Sequence, residues 1–207
     1  MYLSYLLTFM TATVGSLGAY HEKPLVYPPS GPSNVEEFRE KYPYNPGNLD
    51  KHKRVVTIHP SEHDLDDVST AFYKGLKEAN NGGTLYLPAQ QTFVIGKSLD
   101  LTFLNNIQVR LDGKILFTDD TAYWQANAYD YPLQSSRMFW KWGGKNIKIY
   151  GNGTIDGNGQ RWWNQIPDGD DIGIRPILFY GQNLTNFVME GITLKDSPMW
   201  NQLYVTC

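Results

Sequence analysis

The chain has 207 residues, a formal net charge of −3 and a sequence pI near 5.8. That length allows one domain with a real core, and the lack of a basic stripe argues against a nucleic-acid partner. Six Trp and fourteen Tyr are many for this length, which fits either large core residues or flat faces that stack on sugar rings.

Residues 1–18 read as a signal peptide. Tyr2 to Ala19 carries no charged side chain and is mostly apolar, and Ser16 and Gly18 fit the small-x-small pattern of a cleavage site. A secreted, extracellular protein is therefore expected. The apolar stretch is short for a membrane span, so no membrane partner is expected. A buried helix and an anchor are the alternatives. Residues 19–54, rich in Pro, Gly and Tyr, are expected to form an extended arm, with one helical turn over Glu36 to Lys41. Cys207 is the single cysteine, so no disulfide forms within the chain.

The third region, 55–207, is expected to be the folded domain. Val55 to Ile58 predicts a first strand. Val68, Ala71, Phe72, Leu76 and Ala79 recur at helical spacing. They predict a helix over Val68 to Asn80, capped by Asp66 or Asp67 and ended by Asn80 to Gly83. After Gly83 the pattern changes to short strands. These are Thr84 to Leu87, Thr92 to Ile95, Ile107 to Leu111, Lys114 to Phe117, Ile147 to Tyr150, Thr154 and Ile155, Pro176 to Tyr180, Phe187 to Met189, and Ile192 to Leu194. One helix followed only by strands is the layout of a solenoid whose open end needs a lid.

A weak repeat supports stacking. Asn106-Ile107-Gln108-Val109, Asn146-Ile147-Lys148-Ile149 and Asn186-Phe187-Val188-Met189 share polar-apolar-x-apolar order, and each reaches a glycine soon after. The apolar members are expected to form one continuous core. On periodicity alone a β-sandwich remains a competitor.

Several stretches together resemble glycoside hydrolase family 28, the polygalacturonases. The helix leading into Asn81-Gly82-Gly83-Thr84-Leu85-Tyr86-Leu87-Pro88 resembles that family's opening. Gly151 to Gly159 with Trp162-Trp163 resembles its glycine-rich turn. Arg175-Pro176 and Ser197-Pro198-Met199-Trp200 match two further landmarks. Gly96 to Thr102, Phe117 to Asp120 and Tyr123 to Asn127 are similar to the fungal exo-acting branch. The resemblance covers roughly Val55 to Trp200. It implies an all-β fold, a right-handed parallel β-helix with an N-terminal capping helix. It also implies inverting hydrolysis of α-1,4 links in polygalacturonate, with galacturonate released from chain ends. The implied partners are polygalacturonate and pectin oligosaccharides.

Inverting hydrolysis needs one carboxylic acid to protonate the leaving oxygen and an opposed carboxylate to activate water. In the family these come from an Asn-Thr-Asp-Gly-x-Asp segment and a following Asp-Asp pair, with a Gly-His-Gly and an Arg-Ile-Lys beyond. None of the four occurs in the 207 residues. They normally follow the Ser-Pro-x-Trp landmark, so the β-helix is expected to be incomplete and the chain inactive on its own. No catalytic residue is assigned. Asp119-Asp120 and Asp170-Asp171 are paired acids outside the catalytic pattern, and His21, His52, His59 and His63 precede the first coil. Trp162 and Trp163 are candidates for lining a sugar site, against the plainer reading that they pack on the coil. Arg175 is a candidate for pairing with a uronate carboxylate, against tying down a loop. Asp156 in its Asp-Gly turn reads as structural. Asn152-Gly153-Thr154 and Asn183-Leu184-Thr185 are N-glycosylation sequons.

No cofactor and no metal are expected, because carboxyl acid–base hydrolysis needs neither. A calcium-dependent pectate lyase would need a better acidic cluster than Asp168, Asp170 and Asp171. The competing functional class is a non-catalytic remnant, an inactive product or a sugar-binding stack of coils.

Overall fold

The computed structural model describes residues 32, 34–44, 54–63, 66–131, 136–165 and 175–207. The leader 1–18, most of the arm 19–54, and Asp168, Asp170 and Asp171 lie outside them. The chain divides into two units, one ending at Tyr42 and one beginning at Pro43. The described part of the first is a helix, α1 (Val35–Lys41), where one helical turn was expected. The Asn34 side chain caps it by accepting from the Glu37 N–H at 2.8 Å.

The second unit is built of parallel strands. The first sheet contains β1 (Val55–Thr57), β2 (Thr84–Leu87), β4 (Leu99–Leu111), β8 (Trp140–Tyr150), β11 (Phe179–Glu190) and β13 (Gln202–Val205) in that spatial order. The second runs β3 (Thr92–Ile95), β5 (Lys114–Phe117), β9 (Thr154–Asp156) and β12 (Thr193–Lys195). Every pairing within both sheets is parallel. Neighbours in space are therefore separated by a whole circuit of chain, which is the connectivity of a parallel β-helix. A sandwich would need antiparallel neighbours. The third sheet pairs β7 (Ser136–Met138) with β10 (Pro176–Ile177) in parallel and with β6 (Tyr129–Tyr131) antiparallel. That antiparallel pair is the one departure from stacked coils among the described strands.

Three strands are longer than their apolar pattern predicts. β4, β8 and β11 each pass through a turn without losing their ladder, because Asn106, Asn146 and Asn186 adopt φ of 51°, 54° and 52°. Asparagine tolerates this left-handed conformation better than most residues. The chain changes direction there, so inward residues lie on both sides of the turn. Ile107 pairs with Ile147 and Val109 with Ile149, and Phe187 and Met189 continue the two rows. All six pack in one core. Ile107, Val109, Ile147 and Ile149 are buried, while Phe187 and Met189 are half-buried. Gly144, at φ +113°, is where β8 passes so close to β4 that a Cβ would overlap the Leu104 carbonyl.

The long helix is α2 (Ser69–Ala79), with Phe72, Leu76 and Ala79 fully buried. It packs against β1, β2 and β4 and covers the first coil. Neither expected aspartate is its N-cap residue. Val68 is, without a side-chain cap bond. Asp67 instead accepts from the Ser69 N–H at 2.8 Å and the Gly96 N–H at 3.1 Å, tying the helix start to the end of β3. Asp66 accepts from the His63 N–H at 2.9 Å. The other described helices are short: α3 (Thr121–Asn127), started by Asp120 accepting from Tyr123 N–H, and α4 (Gln160–Asn164).

The tryptophans are mostly core, whereas among the described tyrosines only Tyr180 is buried. Trp124, Trp140, Trp142 and Trp162 are fully buried. Phe117 stacks on Phe139 at 4.1 Å, Trp142 on Phe179 at 5.4 Å and Phe179 on Phe187 at 5.8 Å. Parallel coils place like residues above like, so rings stack along the axis.

Candidate substrate-contacting residues

The glycine-rich turn, the two tryptophans, Arg175 and the Ser197 to Trp200 stretch meet at one place. Gly157 and Gly159 donate to the carbonyls of Lys195 and Asp196 at 3.0 and 2.8 Å. A Cβ on Gly157 would stand 2.7 Å from the Asp196 oxygen, so the turn sits directly against that loop. α4 follows and places Trp162 and Trp163 on different faces. Trp162 is 0% exposed and belongs to the core. A buried ring presents no face to a sugar, so Trp162 is corrected to a core residue. Trp163 is half-buried and donates from Nε1 to the Ser197 carbonyl at 3.2 Å. Arg175 donates to the Pro198 carbonyl at 3.0 Å. The Ser197 hydroxyl closes the loop onto the Trp200 carbonyl at 2.7 Å.

These residues fix a loop. Indole and guanidinium both serve its carbonyls, which is the tying role read for Arg175 as the alternative to uronate binding. Trp163 and Arg175 remain partly exposed at the loop's border, whereas Trp200 is the most exposed tryptophan, at 39%.

Asp156 lies beside this loop and is more than a turn residue. Lys114 and Lys195 both reach its Oδ2 at 3.2 Å, and the Asn158 N–H donates to Oδ1 at 2.9 Å. Burial pushes its carboxyl up, but the Asn158 N–H and the two ammonium groups outweigh burial and hold it below the usual carboxylate range. A general acid needs the opposite shift. Asp156 is therefore a fixed charge binding β5, β9 and β12 together. Sequence reading missed the two lysines because they stand 42 and 39 positions away, joined only by the ladder that pairs Leu116 and Lys195 with Asp156.

Of the pair Asp119-Asp120, Asp120 caps α3, and Asp119 is solvent-exposed, 4.0 Å from an equally exposed Arg161. His59 and His63 are exposed, and His21 and His52 lie outside the described residues. Among the described residues no cluster of three or more His, Cys, Asp or Glu can hold a metal. Also among them, no helix is long and apolar enough to cross a membrane. Both sequon asparagines are exposed, Asn152 in the tight turn before β9 and Asn183 at φ 50° in the irregular stretch of β11.

Residues 83–205 match the model of the family described as glycosyl hydrolases family 28. Exopolygalacturonase B of Aspergillus niger is 43% identical over 218 aligned positions, covering 99% of this chain and 47% of that protein. An Aspergillus flavus protein described as "Probable exopolygalacturonase B" is 49% identical over 166 positions, covering 77% of this chain and 38% of the other. The chain thus spans less than half the length of these relatives. Among solved structures, endo-xylogalacturonan hydrolase from Aspergillus tubingensis superposes with a TM-score of 0.58 at 25% identity, over 73% of this chain and 39% of that one.

Proposed function

Because the chain belongs to glycosyl hydrolases family 28, we propose that its function is that of the capped front coils of a secreted pectin-degrading hydrolase of the exo-polygalacturonase type. The substrate is polygalacturonate and its oligosaccharides, and the product is galacturonate released from chain ends with inversion. The observation that carries this reading is the 43% identity to exopolygalacturonase B across 99% of the chain. The tight loop around Ser197 to Trp200 agrees with it, since that loop is assembled by the same landmark residues that carry the family resemblance.

The chemistry sets a condition on activity. Hydrolysis with inversion requires an acid and a base facing each other across a water-sized gap of roughly 6.5–9.5 Å. Asp156 is committed to two lysines and Asp120 to a helix start. The Asn-Thr-Asp-Gly-x-Asp segment is not among the 207 residues. The chain on its own therefore does not turn over. Positioned acid–base groups contribute about 10²–10⁴-fold each, and without both no useful rate remains. No cofactor enters this chemistry.

The test is reducing-sugar release from polygalacturonate. The 207-residue chain is expected to match its heat-killed control. The same chain joined to the remaining sequence of its Aspergillus niger relative is expected to release galacturonate monomer. Galacturonate release by the chain alone would overturn the proposed inactivity. Release of larger oligomers first by the extended protein would overturn the exo reading.

A further inference from the structure

A cleft of about 360 Å³ opens beside the start of α2, walled by Tyr73 and Tyr129 and edged by Thr70, Lys97, Ser98 and Asp100. Its volume falls in the range of pockets that hold small ligands. It lies in the earliest coils and shares no residue with the loop around Ser197 to Trp200.

The charges in this cleft are unevenly committed. Asp100 is held by Lys141 at 2.7 Å and by the Thr102 hydroxyl at 2.6 Å. Lys97 is different. Its side chain is 59% exposed, and its ammonium stands 3.5 Å from Asp67 Oδ2. The other Asp67 oxygen already accepts from the Ser69 and Gly96 N–H groups and from the Ser69 hydroxyl. Lys97 meets only Oδ2, in a long and solvent-exposed pair, and an exposed pair of this kind is weak, so the ammonium can turn to a ligand anion at little cost.

The walls are held in place. Lys141 Nζ sits 4.2 Å from the centroid of the Tyr129 ring, and Phe103 meets Tyr73 edge to face at 5.4 Å. Two anchored tyrosines give apolar contact surface with few rotors to freeze. Asp100 is an ionised acceptor for hydroxyl groups, and Ser98 and Thr70 add hydroxyls of their own.

One available cation, one ionised acceptor, two hydroxyls and two aromatic walls fit a ligand with a single carboxylate and a hydroxylated ring. We infer that this cleft is a secondary binding site for one hexuronate residue of an acidic oligosaccharide. Lys97 takes the carboxylate, Asp100 takes ring hydroxyls, and Tyr73 and Tyr129 cover the apolar face of the ring. The inference rests on the proposed polygalacturonate reading for its substrate class. It adds a place where the polymer is held away from the chemistry.

The test is calorimetric titration of the purified 207-residue chain with tetragalacturonate and with its fully methyl-esterified form. Tetragalacturonate is expected to bind, and Lys97→Ala is expected to weaken it tenfold or more. The esterified tetramer should bind more weakly and be indifferent to Lys97→Ala. Tyr129→Ala should weaken both ligands. Lys97 is exposed, so its variant keeps the fold, and circular dichroism checks this for Tyr129→Ala. No binding, equal binding of the two tetramers, or binding that Lys97→Ala leaves unchanged would overturn the site. None of those outcomes touches the exo-hydrolase reading, which is decided by the extended chain, and an inactive extended chain would leave the titration result standing.

Discussion

Ile147→Ala tests whether the coils form one stacked core. Ile147 is 0% exposed and lies in register between Ile107 on β4 and Phe187 on β11. Shortening it removes the equivalent of about three methylene groups, worth roughly 2.5 kcal/mol of transfer free energy at about 0.8 kcal/mol each. The cavity adds to that. Strands above and below are pinned by parallel ladders about 4.8 Å away, so the neighbours cannot collapse into the space. A total near 4 kcal/mol is expected, in the upper part of the range for such truncations. Met189→Ala is the internal control. Met189 sits in an equivalent inward row but is half-buried, so its truncation should cost about 1–2 kcal/mol. Urea titration followed by tryptophan fluorescence reads both, since four tryptophans lie in the core. Equal costs for the two variants, or an Ile147→Ala cost below about 1.5 kcal/mol, would refute the stacked-core account.

The ion-pair cluster gives a pH dependence. The folded Asp156 carboxyl lies below its ordinary value, so its stabilisation is complete above the unfolded value of about 3.9 and fades as pH falls through the lower, folded one. Asp156→Asn should cost about 2 kcal/mol near neutrality, discounted for the partly exposed lysines, and its melting temperature should converge with that of the parent at the acid end. A difference unchanged down to pH 2 would remove the carboxylate from the explanation. Gly144→Ala forces a side chain into φ +113° and onto the Leu104 carbonyl. A loss of at least about 3 kcal/mol, seen as a lower melting temperature or failure to accumulate, is expected. Expression in a secreting eukaryotic host should add glycan at Asn152 and Asn183 and remove residues 1–18. Intact-mass measurement with and without glycosidase decides both, and unmodified asparagines with an N-terminus at Met1 would refute them.

Local pattern read the sheets well where one strand faces both core and solvent. Thr84–Leu87 and Lys114–Phe117 alternate cleanly, Thr92–Ile95 is a short apolar run buried from Phe93 on, and all three match their predicted bounds. It read the long strands in part, because the inward face changes at Asn106 and Asn146 and the period breaks there. Trp140 to Trp142 and Gln202 to Val205 are stretches of strand that the apolar pattern does not predict, because each is short and carries little β-branched character. α3 and α4 are too short for helical spacing to register. The candidate site was legible as landmarks but not as contacts. Trp162 and Trp163 are adjacent in sequence and differ only in which face of a five-residue helix they occupy, and that is set by the coil beneath them. Asp156, Lys114 and Lys195 share no local pattern at all.

The side chain of Asn186 donates to that of Asn146 at 2.8 Å, across 40 residues of chain. Bonds of this kind run along the axis and form only once the coil below is in place. Closing a circuit, 40 residues long between Asn146 and Asn186, costs several kcal/mol of loop entropy before any ladder bond repays it. A coil already formed supplies both the strand edge and the asparagine acceptor, so adding the next is far easier than starting one anywhere else. Folding should then advance as a directional zipper from the α2 end, slow to initiate and quick to extend. On that account a lesion in β2 or β4 delays every later coil, while the same lesion in β13 leaves the earlier coils to form at their normal rate.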